Sequence, residues 1–180
     1  MATITANARP ALWSLDADRR DYFGLALSAA LPLAVFVIVN GLAELNGAVP
    51  LFFSPFGLPG WLGAVLYLGA LPLFGAARWL VAREGVEGRI AGWWIVGLMA
   101  GAVVFPFLAN PLDSLALSIV SMALVLVGVA AAGRAAKVSP LAAMLMLPGL
   151  LWLGFSAFVG LSFVAAWSPP FALTNTNNAL

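Results

Sequence analysis

From Tyr22 onward the chain is a series of long apolar runs, separated by short breaks that hold most of its charge. That pattern constrains the fold more than any motif does. A helix needs about 20 predominantly apolar residues to cross the hydrocarbon layer of a bilayer. Five segments qualify: Tyr22–Ala43, Gly60–Ala82, Ile90–Ala109, Leu112–Ala132 and Leu141–Trp167. Pro32 and Pro148 fall inside the first and last, which a membrane tolerates because neighbouring helices can satisfy the freed carbonyls. Composition agrees. Only 8% of the residues are charged and 63% are hydrophobic, where a soluble domain carries about 25% charged residues. The expected fold is an all-α membrane protein, a five-transmembrane-helix bundle over residues 22–168, with an N-terminal extension over 1–21 and a short tail over 169–180.

The breaks also orient the chain. Arg9, Arg19 and Arg20 precede the first span, Arg78, Arg83 and Arg89 flank the REGVEGR break, and Arg134 and Lys137 lie in GRAAKVSP. These are all 8 basic residues, and none falls in the first loop, the ANPLD turn or the C-terminal tail. Cytoplasmic loops carry the excess of Lys and Arg, so the N-terminus is expected in the cytoplasm and the C-terminus outside, as in a bacterial inner membrane. A signal peptide would begin with a short basic region running directly into an apolar core. The polar start MATITANARPALWSLDADRRDY reads instead as a cytoplasmic extension.

Several chemistries drop out. The chain has no Cys and no His, which removes disulfides, thiolate sites, the usual metal and haem ligand and the usual general base. No nucleophile–base pair can be assembled from them. A non-enzymatic role without metal or cofactor is expected, with only a Ser or carboxylate mechanism formally open. A net charge of +1, with scattered basic residues, offers no nucleic-acid surface. No ionisable side chain lies deep in a span, which argues against a proton-coupled pump. Arg78 is about one turn from its helix end and can snorkel to the interface. Glu44 and Asp113 sit at membrane edges, Asp113 in NPLDS as a helix cap.

The loop after the first span is the most unusual stretch. VPLFFSPFGLPGWLGAVLYL, Val49–Leu68, holds Pro50, Pro55 and Pro59, four aromatics ahead of Tyr67, no charge and one serine. On its residues alone it is either an interfacial loop resting on the bilayer or a stiff apolar lid. Proline lowers the ordering entropy on closure, and aromatic faces supply contact area. Trp61, Trp79, Trp93, Trp94 and Trp167 lie near span ends, as interface anchors do. Trp152 falls well inside the fifth span, suited to packing or to a ligand. Gly97 and Gly101 form a GxxxG spacing that lets two helix backbones approach, either across a homodimer or within the chain.

Read together, these stretches resemble the TspO/MBR family, the tryptophan-rich sensory proteins and the translocator protein or peripheral benzodiazepine receptor. The family's first loop and second helix read approximately K-P-x-W-x-P-P, an aromatic stretch, then L-Y. Here Pro50, Pro55, Leu66 and Tyr67 match at that spacing, Phe52 and Phe53 keep the aromatic character, and Ser54 replaces a proline. The family's third span reads N-x-x-W-x-P. GAVVFPF retains Pro106 and Phe107 but has Gly101 at the Asn and Val104 at the Trp. The fifth reads P-Y-L-x-W with an Asn eight residues on. Pro148, Leu150 and Trp152 match, while Gly149 and Gly160 replace the tyrosine and asparagine. The resemblance covers about Gly41–Trp167.

The resemblance implies five helices around a pocket near the membrane surface, with the first loop as its lid. Its wall would hold Phe52, Phe53 and Tyr67 from the loop and second helix, Phe105 and Pro106 from the third, and Pro148 and Trp152 from the fifth. Tyr67 would be the main polar handle. The implied ligand is a hydrophobic small molecule, a porphyrin or other tetrapyrrole or a sterol- or isoprenoid-like lipid, and the implied role is sensory, regulatory or transport-related. Without His, a porphyrin would be held by its faces and propionates. Bacterial members pair through the third helix, which makes Gly97 and Gly101 the expected dimer interface. The alternative is a non-catalytic accessory or scaffold subunit of a larger respiratory or photosynthetic membrane complex. Loss of the family's polar pocket residues would suit that too. Membrane lipids are partners in either reading.

Overall fold

The structure, a computed structural model, describes residues 19–55, 58–109 and 111–167. Five α-helices run through them: α1 Arg19–Leu45, α2 Gly60–Ala82, α3 Gly85–Leu108, α4 Ser114–Val138 and α5 Pro140–Trp167. All five are long and apolar enough to cross a membrane. The shortest has 23 residues and the longest 28, roughly 34–42 Å at the helical rise of about 1.5 Å per residue. That exceeds the ~30 Å hydrocarbon core. The chain is an all-α, five-span membrane protein.

Successive helices run antiparallel. One end of the bundle carries the start of α1, the α2–α3 and α4–α5 connections and the described basic residues; the other carries the loops after α1 and α3. We call these the basic end and the loop end. Helix α2 is central, packing on α1, α3 and α5, while α4 closes the ring against α3 and α5 and α1 touches α2 and the flank of α3. Leu71 and Phe74 of α2, Ile95 and Leu98 of α3 and Met146 of α5 are fully buried between them. Buried alanines such as Ala77, Ala91, Ala131, Ala135 and Ala142 let the backbones close, as membrane helices require when lipid is as apolar as their own side chains.

Two breaks are shorter than the sequence suggests. Only Arg83 and Glu84 separate α2 from α3. The reversal is made by Gly85 at φ 68°, a backbone conformation that only glycine adopts freely. Helix α4 runs on to Val138, so Ser139 alone separates it from α5. The Ser139 hydroxyl accepts a long 3.4 Å bond from Ala142 N–H, and Pro140 opens α5 without an amide to leave unpaired. Arg134 and Lys137 therefore ride on the last turns of α4 rather than in a loop, where cations oppose the helix dipole. Asp113 caps α4 as expected, accepting from Ala116 N–H at 2.7 Å. The extension over 1–18, the tail beyond 167 and the side chain of Trp167 lie outside the described residues.

The proline inside α1 is answered by a neighbouring helix. Pro32 leaves the Ser28 carbonyl without its helical donor. That carbonyl lies against Gly75 of α2, where no side chain would fit. In return the Ser28 hydroxyl donates to the Gly75 carbonyl at 2.8 Å. Sequence-distant residues thus lock α1 to α2 at the proline.

Candidate functional site

After α1 the chain turns at Gly47, whose φ of 72° suits glycine, and then runs without regular structure through Pro55. This loop is stitched to the bundle at two points. Leu51 N–H donates to the Pro106 carbonyl at 2.9 Å, satisfying one of the orphan carbonyls of the last turn of α3. The Phe53 carbonyl lies on Gly63 of α2, where any side chain would collide. Ser54 Oγ–H donates to the Leu58 carbonyl at 2.7 Å and closes a small turn, and Pro55 is buried. The loop is seated in the mouth of the bundle.

Its two phenylalanines diverge. Phe52 turns toward α1 and α2, its ring centroid 5.8 Å from Tyr67 and 6.1 Å from Phe36. Phe36 in turn meets Phe107 of α3 at 5.7 Å. Phe53 turns toward α5, 5.7 Å from Trp152 and 5.8 Å from Phe155 in edge-on contacts. Edge-to-face geometry sets the positive ring edge on the negative face, worth about 0.5–1.5 kcal/mol per pair beyond burial. The loop thereby bridges the two sides of the bundle through consecutive residues.

Tyr67 has a different task from the one its resemblance implies. Its buried hydroxyl donates to the Ala102 carbonyl of α3 at 2.7 Å. Pro106 stands four residues after Ala102 and has no N–H, so that carbonyl cannot be satisfied within α3. The tyrosine supplies the missing donor. As a polar handle for a ligand it is already engaged. Tyr67 and Trp152 do line one cavity, but it measures about 10 Å³, roughly the minimum for a single water.

A larger cleft opens beside it at the loop end, between α3, α4 and α5. It holds about 390 Å³, within the ~300–1,000 Å³ typical of small-molecule sites. Phe53 of the loop and Phe105 of α3 form one wall, and Ser118, Ser121 and Ser156 bring hydroxyls into it. Gly160 lies over the Ser118 hydroxyl; a Cβ there would stand 3.1 Å from it. Ser121 Oγ–H donates to the Ser118 carbonyl at 2.9 Å, and Ser156 Oγ–H to the Leu153 carbonyl at 2.8 Å. Such back-bonding to the helix satisfies the donor while the oxygen keeps acceptor capacity. Among the described residues, no Lys, Arg, Asp or Glu lines the cleft.

Of the expected residues, then, Phe53 and Phe105 reach this cleft. Phe52 belongs to the aromatic cluster around Tyr67, and Pro106 is fully buried in the core. Pro148 and Trp152 line a separate apolar groove of about 430 Å³ on the outer side of α2 and α5. The Trp152 indole N–H is buried without an acceptor among the described residues. The three serines were not among the residues singled out from the sequence. Two of them had a signal: Ser118 and Ser121 follow Ser114 at four- and three-residue spacing, one face of an apolar stretch of helix, whereas Ser156 of α5 had none.

The sequence model of the TspO/MBR family matches residues 28–167. The chain belongs to the TspO/MBR family. No curated protein and no solved structure shows significant similarity to it. Its departures from the TspO/MBR pattern now have structural counterparts. Gly149 replaces the family's tyrosine, and the space is taken by Phe74, whose Cζ would be 2.5 Å from an added Cβ. Gly101 replaces an asparagine and meets Leu124 of α4, whose Cδ1 would lie 2.6 Å from a Cβ. Gly101 therefore packs inside this TspO/MBR chain, whereas Gly97 has nothing within 4 Å of its Cβ position and faces outward. Val104, at the family's tryptophan, is 46% exposed on the lipid side.

Proposed function

We propose that this member of the TspO/MBR family is a non-catalytic receptor of a bacterial inner membrane that binds a hydrophobic small molecule in the serine-lined cleft beneath the first loop. The loop end faces the periplasm and the basic end the cytoplasm, following the positive-inside rule. The observation that carries the reading is the cleft itself: about 390 Å³ of mostly apolar wall, three serine hydroxyls, and Phe53 held over it by the loop. Its lining favours one part of the family's ligand range. A tetrapyrrole brings carboxylates that want cations, and none of the described residues lining the cleft is a cation. A neutral sterol- or isoprenoid-like molecule needs only one hydroxyl or carbonyl met by serines, with dispersion along the rest. Trp152, edge-on to Phe53 behind the cleft wall, reports occupancy through its fluorescence. A sensory or transport-related role follows from loop displacement when the cleft fills. Gly97, open to the outside, offers a contact for a twofold-related α3 in a homodimer.

Titrating the purified protein in detergent with an isoprenoid alcohol such as farnesol should change tryptophan emission. Ser121→Val with Ser156→Val should weaken that binding about tenfold, as losing hydrogen bonds of roughly 0.5–1.5 kcal/mol each implies. Gly160→Leu should block it. Binding of farnesol that survives all three substitutions, or tighter binding of protoporphyrin than of any neutral lipid, would overturn the reading.

A further inference from the structure

Toward the basic end, on the other side of the bundle, α1 and α3 part to leave a groove of about 330 Å³. Leu31 and Val35 of α1 face Val96, Met99 and Val103 of α3 across it. Its sides are exposed to the bilayer at Leu31 and Val35. Along α3 it runs from Trp93 to Val103, roughly 15 Å at the helical rise, which is the depth of hydrocarbon in one leaflet. At its foot stands Arg78 of α2, with Trp93 and Ser28 beside it. The Ser28 hydroxyl is committed to Gly75.

Arg78 differs from the two other arginines that have aromatic partners here. Arg83 lies 3.8 Å over the Trp79 ring and Arg134 lies 4.9 Å over Trp94. Arg78 has no such ring and no carboxylate among the described residues, and it is exposed about one turn inside its span. An intramembrane cation is costly until an anion or water reaches it. A guanidinium presents a planar fork of N–H groups that fits phosphate oxygens two at a time. Among the described residues, no Asp or Glu lines the groove to receive a positive headgroup.

We propose that the α1–α3 groove holds one acyl chain of an anionic phospholipid from the leaflet at the basic end, with its phosphate on Arg78. The site is independent of the serine cleft, which lies at the other end of the bundle and has no cation. Charge selects the lipid class, and the groove selects a chain over a free phosphate.

The full-length protein in detergent is incubated with phosphatidylglycerol, with phosphatidylcholine of the same chains, or with glycerol phosphate, and bound molecules are counted by native mass spectrometry. The wild type should retain one phosphatidylglycerol about tenfold more tightly than phosphatidylcholine, which has the same phosphate but brings a choline cation up to Arg78 as a like charge, and should retain no glycerol phosphate. Arg78→Gln should erase the preference. Val35→Phe should fill the groove and release the lipid with Arg78 intact; both positions face outward, so the core is untouched, and Leu31→Phe repeats the test should Val35→Phe not fold. Retention unchanged in Arg78→Gln or in the filled groove overturns the proposal. So does equal retention of glycerol phosphate, or a lipid-free dimer that Val35→Phe splits, which would make a second copy the occupant.

Discussion

Tyr67→Phe removes one oxygen and leaves the Ala102 carbonyl with no donor. The bond is short, at 2.7 Å, and buried. Phenylalanine keeps the ring and its 5.8 Å contact with Phe52, so the substitution isolates the hydrogen bond. Side-chain hydrogen bonds between membrane helices average only about 0.6 kcal/mol and reach about 1.7, because the alternative state finds other partners. A buried carbonyl left unsatisfied costs about 1–3 kcal/mol. At Ala102 the rival donor is absent by covalent structure, since Pro106 has no N–H, and the upper part of the first range should apply. We expect Tyr67→Phe to cost about 1.5 kcal/mol. Pro106→Ala returns an amide to α3 that can satisfy Ala102 within the helix. In that background Tyr67→Phe should cost about 0.5 kcal/mol or less, leaving a coupling of about 1 kcal/mol. The four proteins are compared by reversible unfolding in mixed micelles, titrated with sodium dodecyl sulfate and followed by tryptophan emission. Losses that add to within about 0.3 kcal/mol would refute the idea that the tyrosine exists to serve the proline.

Gly149→Tyr, which restores the family's residue, should drive Phe74 out of place and lower stability by about 1–3 kcal/mol, with Phe74→Ala recovering much of the loss in thermal unfolding. Gly97→Leu should leave a folded monomer and split any dimer formed through α3 on gel filtration; Gly101→Leu, set against Leu124, should instead lower the unfolding temperature. Asp113→Ala should cost about 1 kcal/mol through loss of the α4 cap, measured by the same titration. A reporter active only in the periplasm should work when fused to the C-terminus and fail when fused at Arg134; the reverse pattern would invert the proposed orientation.

The spans were legible in the chain because hydrocarbon imposes a length and excludes charge, and no packing detail is needed to apply either rule. Asp113 was legible as a cap for a similar reason, since a cap is a local contract between one side chain and one amide. The family pattern of prolines and aromatics could be read too, and with it a loop that belongs to a pocket. Helix ends were less so. Arg83–Arg89 and Gly133–Pro140 look like loops in composition, yet Gly85 and the Ser139–Pro140 pair reverse the chain in one or two residues, and the flanking charges stay on helical turns. What the tertiary structure alone decided is which side of each helix faces inward. In water, polarity marks the outer face of a helix, and a period of 3.6 residues reveals it. In a bilayer both faces are apolar, so rotation about the helix axis leaves little trace in the sequence. Hence the sequence leaves Tyr67 free to face a ligand, where the structure sets its hydroxyl on Ala102; it leaves Gly101 open to a dimer face or to packing within the chain, where the structure sets Leu124 against it; and nothing in it joins Ser156 of α5 to Ser118 and Ser121 of α4, which share one cleft.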